Sequence, residues 1–193
     1  MGGGGGRERG DALRLFVALE LPRPVRAALA SWTADAVGPA VVDARPLPED
    51  SLHVTLCFLG ARRPGEVGPI AESVRAAVAA SATSPVVLGV GETVWLPRRR
   101  SRVCAVALRE LTGGLGGLQA AVAARLTAGG WYAPEERPFY PHVSVARLRV
   151  PLRRRGPALA APELEPFSVP GVALLRSWPG SRYESLARVA LPG

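Results

Sequence analysis

The sequence predicts a mixed α+β fold with two similar lobes. Strands and helices alternate, but many consecutive strands are joined by short turns, which favours an α+β arrangement over a doubly wound parallel sheet. The order strand, helix, histidine-bearing strand also occurs twice, at about residues 13–59 and 103–148. This duplication indicates weak internal symmetry between two lobes, not a tandem repeat array.

Strands are predicted where short apolar or alternating runs lie between turn residues. Residues 13–19 (LRLFVAL) are mostly apolar and predict a buried strand. Residues 51–59 alternate between apolar and polar side chains, which predicts a half-buried strand that ends at Gly60. The remaining predicted strands cover residues 85–94, 103–108, 141–149, 168–175 and 186–191.

Helices are predicted where apolar residues recur every three or four positions. The first covers residues 25–37, and the second covers residues 65–80. The third covers residues 111–128 and is weakened by the glycines near its start. A loop rich in arginine and proline is expected from residue 151 to residue 166.

Composition places the chain among globular proteins with an unusual basic content. The 193 residues are 48% hydrophobic and carry a formal charge of +8, and all 24 basic residues are arginine. Either a codon bias or an attraction to phosphate groups, which the planar guanidinium binds in pairs of contacts, explains this content. Residues 1–11 include a run of glycines and predict a flexible tail, so residues 12–193 are expected to form one bilobal domain.

Cysteine use and hydropathy suggest where the protein works. Cys57 and Cys104 are too few for a disulfide scaffold, so reduced thiols in a cytoplasmic protein are expected. The chain has no apolar run of the length that a membrane helix needs, and its start lacks the apolar segment of a signal peptide. No membrane partner is therefore expected.

The two histidines of the chain begin the same short pattern. His-Val-Thr-Leu covers residues 53–56 and His-Val-Ser-Val covers residues 142–145. Residues i and i+2 of a strand face the same side, so each pattern presents an imidazole beside a hydroxyl. With 17 Ser and Thr residues in the chain, chance gives both histidines such a neighbour in only about 1% of shuffled chains.

Two imidazoles with no further metal ligands indicate a site that transfers protons during a reaction at phosphorus. One histidine takes a proton from water while the other gives a proton to the leaving sugar oxygen, and the near-neutral pKa of histidine suits both tasks. The hydroxyls of Thr55 and Ser144 can donate to the phosphate oxygens. Two strand histidines that merely bond to neighbouring hydroxyls are the structural alternative. A metal site is not expected, because the chain has no third histidine and no HxxxH or CxxC pattern.

Four segments resemble the two-histidine (2H) phosphoesterases, in particular the LigT-like RNA 2',3'-cyclic phosphodiesterases formerly called 2'-5' RNA ligases. LHVTLCFLG at 52–60 and RPFYPHVSVARLR at 137–149 are similar to the two HxTx motifs of that family. RLFVALELP at 14–22 resembles its opening strand, and VALLRSWPGSRYESLARVAL at 172–191 resembles its closing hairpin. The resemblance implies two pseudo-symmetric lobes of mainly antiparallel sheet with outer helices and an active site in the cleft between them.

The same resemblance implies a role for each residue of the two motifs. His53 is the expected proton donor to the leaving oxygen, and His142 is the expected acceptor of a proton from water. Thr55 and Ser144 are expected to hold the phosphate, and serine keeps the hydroxyl of the usual threonine but lacks the methyl that restricts χ1. The implied reaction is hydrolysis of an RNA 2',3'-cyclic phosphate end to a 2'-phosphate, with no metal and no cofactor. A monomer is expected.

Alternatives to this reaction stay open at the level of sequence. The protein could be an RNA-end-binding protein with little turnover, or the same fold could catalyse 2'-5' RNA ligation or cleave a small cyclic phosphate. Arg147 either binds the phosphate or is a solvated arginine at the end of its strand. The arginine runs at 98–100 and 153–155 would steer RNA if they lined the cleft.

Several aromatic residues are candidates for stacking on a nucleobase. Tyr132 and Tyr140 are the favoured candidates, because prolines and charged residues surround them. Phe58 falls on the apolar face of its predicted strand and is expected in the core. Cys57 falls on the histidine face and is expected to be a small buried residue.

Overall fold

The computed structural model describes residues 12–81, 84–153 and 156–192. The predicted tail, residues 1–11, lies outside this range, as do Arg154 and Arg155 of the second arginine run. The strands are β1 Leu13–Glu20, β2 Ala44–Pro46, β3 His53–Arg62, β4 Val87–Leu96, β5 Ser101–Glu110, β6 His142–Leu152, β7 Phe167–Ser168, β8 Gly171–Trp178 and β9 Arg182–Ala190. The α-helices are α1 Arg23–Trp32, α2 Gly38–Ala40, α3 Val67–Ser81 and α4 Leu115–Ala128.

These strands form one antiparallel sheet in the order β7-β4-β5-β6-β3-β1-β8-β9, with β2 beside β6. The sheet consists of two halves, β7-β4-β5-β6 and β3-β1-β8-β9, which meet where β3 pairs with β6. The predicted α+β class is therefore confirmed. Within the described ranges, no helix is both long enough and apolar enough to cross a lipid bilayer.

The sheet buries side chains on both of its faces near β1, which explains the nearly unbroken apolar run of that strand. Val17 and Leu19 belong to the main core, which also includes the buried residues of helices α3 and α4. Phe16 and Ala18 point to the opposite face and form a smaller apolar cluster with residues of β8. The main core therefore packs against one face of the sheet, and the smaller cluster lies on the opposite face, which carries the histidines.

The two histidine-bearing strands repeat each other in detail. The first ten positions of β3 and of β6 show the same order of buried, half-buried and exposed side chains. Each strand also has a β-bulge at the same place: Leu56 is skipped in the pairing with β1, and Val145 is skipped in the pairing with β5. The predicted internal symmetry of the two lobes is thus confirmed at the level of single residues.

The observed helix boundaries differ from the predicted ones at the end of the first helix and at the start of α4. The first α-helix ends at Trp32 and continues as a π-helical turn over Thr33–Val37, where the Thr33 hydroxyl donates to the carbonyl of Leu29 at 2.6 Å. The predicted start at residue 111 was wrong, because α4 begins at Leu115 after Gly113 with φ +83°. The Glu110 carboxylate accepts a hydrogen bond from the Leu115 amide and caps that helix.

Strand boundaries depart from the predictions at glycine and proline. β3 does not end at Gly60 but runs to Arg62, because Gly60 adopts a φ of +74° at a bulge opposite β1. The strand predicted over 168–175 is divided into β7 and β8, since Pro170 between them has no amide hydrogen to donate. The short strand β2 was not predicted.

Candidate active site

The two histidines lie side by side where the halves of the sheet meet. β3 and β6 pair in antiparallel register at Val54 and Val143, and both valine side chains are fully buried. This register sets His53 opposite Ser144 and Thr55 opposite His142. Side chains alternate along a strand, so the imidazoles and hydroxyls all point away from the valines to the other face of the sheet. The predicted site residues of both motifs are therefore brought together.

Both imidazoles are anchored in the same way. His53 Nδ1 donates to the Ser51 carbonyl at 2.7 Å, and His142 Nδ1 donates to the Tyr140 carbonyl at 2.7 Å. A carbonyl oxygen can only accept, so the proton of each neutral ring resides on Nδ1 and leaves Nε2 available for proton transfer. His53 Nε2 lies 3.2 Å from the Thr55 hydroxyl oxygen. Each backbone carbonyl thus fixes the tautomer of the histidine that follows it by two residues.

The surroundings of the two imidazoles differ. His53 is half-buried between Phe16 and Tyr183, whose ring centroids lie 4.9 Å and 5.1 Å from its own. Burial lowers the pKa of His53 to about 4, against the opposing effect of the Ser51 hydrogen bond. His142 instead stacks on the ring of Tyr140, at a centroid distance of 6.0 Å, and on no other ring of the described residues. Similar strands therefore hold their histidines in unlike environments.

Phe16 and Tyr183 are parts of the site that residue patterns alone did not reveal. They lie in the segments that resemble the opening strand and the closing hairpin of the family, but each is 30 or more positions from a histidine motif. The pairing of β1 with β3 and of β8 with β9 brings them there. The only signal available was the presence of aromatic residues within those two segments.

Arg147 and Phe58 occupy equivalent positions after the two bulges. Each lies five residues beyond its histidine, and each is exposed on the face that carries the imidazoles. The positive charge of Arg147, like that of His142, contributes to the lowered pKa of His53. Arg147 is also within its strand, paired with Arg45 and Val103, and not at the strand end.

The prediction that Phe58 lies in the core was wrong, since 64% of its surface is exposed. The bulge at Leu56 and Cys57 reverses the alternation of β3, which directs Phe58 to the histidine face and Cys57 into the main core. Cys57 is indeed buried, as predicted, but not on the face predicted for it. Burial raises the pKa of Cys57 to about 12, and so keeps the thiol protonated.

A cleft of about 1090 Å³ opens beside Thr55 and His142. Its lining includes the predicted stacking candidates Tyr132 and Tyr140 as well as Phe58. Arg98 and Arg99 of the first arginine run also line it, so this run is placed at the cleft. Among the described residues, no group of three or more His, Cys, Asp and Glu side chains is arranged to hold a metal ion.

We expect the His53 imidazole of the free protein to titrate near pH 4, because its burial disfavours the charged form. The midpoint can be measured by NMR from the chemical shift of the ring Cε1 proton. The variant His142→Gln leaves a single imidazole and makes the assignment unambiguous, while it removes only a minor contribution to the shift. A His53 midpoint near the ordinary 6.5 in both proteins would contradict the enclosed position of this ring.

Comparison with known proteins finds clear relatives. A protein named RNA 2',3'-cyclic phosphodiesterase from Escherichia coli (strain K12) is 32% identical over 139 residues, which cover 69% of this chain and 71% of that protein. One of the same name from Thermus thermophilus is 32% identical over 174 residues, covering 86% of this chain and 82% of the relative. No family model matches the chain.

Solved structures agree in fold. The crystal structure of E. coli LigT complexed with 3'-AMP superposes with a TM-score of 0.76 at 24% identity, over 95% of this chain and all of LigT. The crystal structure of TT0787 from Thermus thermophilus superposes with a TM-score of 0.71 at 30% identity, over 93% of this chain and 98% of TT0787. The bilobal arrangement implied by the sequence resemblance is therefore confirmed.

Proposed function

This chain belongs to the RNA 2',3'-cyclic phosphodiesterase family of the two-histidine phosphoesterases, and we propose that it hydrolyses 2',3'-cyclic phosphate ends of RNA to 2'-phosphates. One observation carries the proposed mechanism: the register of β3 and β6 sets two imidazoles and two hydroxyls on one face, with both Nδ1 atoms held by carbonyls. This leaves two Nε2 atoms to exchange protons with a phosphate between them.

In the proposed reaction, water attacks phosphorus opposite the 3' oxygen. His142 Nε2 takes a proton from the water as the new phosphorus–oxygen bond forms. The bond between phosphorus and O3' breaks, its electron pair passes to O3', and His53 Nε2 donates a proton to that oxygen. The products are a 2'-phosphate and a free 3' hydroxyl, and proton exchange with solvent restores both imidazoles. Only water is consumed, so the step balances without a cofactor.

Thr55, Ser144 and Arg147 are proposed to stabilise the charge on the non-bridging phosphate oxygens. Thr55 and Ser144 stand across from the histidines in the β3–β6 register, one on each strand. Hydroxyl donors placed where charge develops lower the barrier without reorganisation. Arg147 adds an exposed guanidinium on β6, five residues beyond His142, whose fixed positive charge and paired donors suit a phosphate.

His53 requires a proton to act as the donor, although its lowered pKa leaves the free ring neutral at pH 7. A bound cyclic phosphate carries a negative charge beside Nε2, and an anion at this distance stabilises the imidazolium form. Substrate binding therefore raises the pKa of His53, and the imidazole then takes up the proton that it needs from solvent. If 2'-AMP left the NMR midpoint of His53 unchanged, the assignment of His53 as the proton donor would be wrong.

An RNA end suits the cleft better than a bare cyclic phosphate. Arg98 and Arg99 line it together with the exposed ring of Phe58 and that of Tyr140, which is 45% exposed. Arginines attract the phosphates of a nucleotide chain, and aromatic rings stack on bases of any sequence. Phe58 and Tyr140 are thus proposed to contact the terminal bases.

The proposal is tested with an oligonucleotide that ends in a 2',3'-cyclic phosphate, beside the matching cyclic mononucleotide, in excess chelator. We expect hydrolysis with the chelator present, because two histidines that are each paired with a hydroxyl lack the ligand number of a normal divalent site. Chromatography of the products should give the 2'-phosphate, and the oligonucleotide should have the higher kcat/KM.

Four outcomes of this assay would count against parts of the proposal. Activity that is lost in chelator and restored by a divalent ion would overturn the metal-independent mechanism. A purely 3'-phosphate product would reverse the orientation of the substrate. Equal kcat/KM for both substrates would remove the role of the RNA chain, and binding without turnover would favour an RNA-end-binding protein.

A further inference from the structure

Two aromatic rings from distant parts of the chain pack against the imidazole of His53. The centroid of the imidazole lies 4.9 Å from that of Phe16 on β1 and 5.1 Å from that of Tyr183 on β9. Phe16 and Tyr183 also contact each other, with centroids 5.1 Å apart at an interplanar angle of 78°. Each of the three rings therefore touches the other two. Edge-to-face contacts of this kind favour defined ring orientations.

The strand register explains why Tyr183 reaches this position. Phe16 pairs with Phe58 on one side and with Leu175 on the other, so all three side chains share the histidine face. Tyr183 pairs with Ser177, two residues after Leu175 on β8, and so points to the same face. Accordingly, the partly buried ring of Tyr183 packs on the smaller apolar cluster.

We infer that Tyr183 is a positioning residue for His53: together with Phe16 it holds the imidazole so that Nε2 faces Thr55 and the cleft. The hydrogen bond from Nδ1 to the Ser51 carbonyl fixes one atom of the ring and leaves the ring free to tilt about that contact. Packing of Phe16 and Tyr183 against the ring removes this freedom. This inference rests on the proposed role of His53 in proton transfer.

The contrast with His142 supports an action on His53 alone. His142 has the same anchor to a carbonyl but stacks on a single ring, that of Tyr140. The near-symmetric strands therefore do not require an aromatic enclosure for their fold, and among the described residues only the β3 histidine has one. Exclusion of water by Tyr183 also disfavours the charged imidazole, in keeping with the lowered pKa of His53.

Both strands that pair with β3, namely β6 and β1, carry charged residues that face His53 or pair with it. From β6, the charges of His142 and Arg147 lower its pKa. From β1, Glu20 pairs with His53 in the strand register, and its carboxylate is bound by Arg188 of β9 at 2.8 Å. Removal of the Tyr183 ring leaves these charges in place, so a change in titration after that substitution reports the lost enclosure.

The test compares Tyr183→Ala and Tyr183→Phe with Trp178→Ala. Trp178 is the matched control, because it is the other aromatic residue near the turn of the β8–β9 hairpin and its ring stacks on Arg176. NMR titration of His53, kcat and KM for the cyclic-phosphate oligonucleotide, and thermal stability are measured for each variant. The titration requires no activity, so it tests the enclosure even if the proposed reaction is not observed.

We expect Tyr183→Ala to move the His53 midpoint upward from about 4 toward 6.5 and to lower kcat by about 10- to 100-fold with little change in KM, the scale of a misplaced catalytic group. Tyr183→Phe and Trp178→Ala should leave titration and kcat near those of the wild type. An unchanged His53 midpoint in Tyr183→Ala would overturn the inference. So would a loss of kcat in Trp178→Ala equal to that in Tyr183→Ala.

Discussion

Replacement of either histidine by alanine is expected to lower kcat by about 10²–10⁴, the usual effect of removing a general acid or base. Both imidazoles are half-buried and neither belongs to the core, while the fully buried valines next to them hold the strands together. His53→Ala and His142→Ala should therefore fold normally. Single-turnover assays with the cyclic-phosphate oligonucleotide measure the loss, and circular dichroism with thermal melting checks the fold.

The double variant distinguishes a catalytic pair from two independent contributions. Because His53 and His142 act on the same phosphate, losing both should cost less than the product of the single losses. Trp178→Ala is a suitable control, since the ring of Trp178 stacks on Arg176 and is not among the rings in contact with either imidazole. Activity near that of the wild type in either single histidine variant would refute the assigned roles.

Much of the fold was predictable because the local sequence shows the alternation of apolar and polar residues and the duplication of the histidine pattern. Residues 53–56 and 142–145 gave the faces of the imidazoles and hydroxyls correctly, since a strand of this length has little choice about which side chains it buries. The short turns likewise predicted the α+β class, and the family resemblance implied the mainly antiparallel sheet. What the local pattern could not give was the pairing between distant strands.

Two features of the site depend on that pairing. The bulge at Leu56 follows from how β3 fits against β1, and it reversed the expected positions of Phe58 and Cys57. The enclosure of His53 by Phe16 and Tyr183 joins residues that are far apart in sequence. The alternation of apolar and polar residues describes one strand at a time. It therefore cannot predict a change of register between two strands or a contact that joins three strands.

The hydroxyl of Thr55 offers the sharpest test of how the phosphate is held. Thr55→Val keeps the β-branched shape and removes only the donor, so the strand and its packing should be unchanged. We expect kcat to fall by about 10²–10³, as when one donor to a developing oxyanion is lost. KM should change less, because the hydroxyl is proposed to act mainly where charge accumulates in the transition state.

Thr55→Ser is the matched control, and the chain itself justifies the choice. Ser144 stands at the equivalent position of the second motif, across the β3–β6 register from His53. A serine at position 55 would retain the donor but rotate more freely about χ1, so a loss of only a few-fold in kcat is expected. If Thr55→Ser and Thr55→Val were equally impaired, the methyl group and not the hydroxyl would be what the site requires. Thr55 would then serve to pack beside His53, and the phosphate would depend on Ser144 and Arg147 alone.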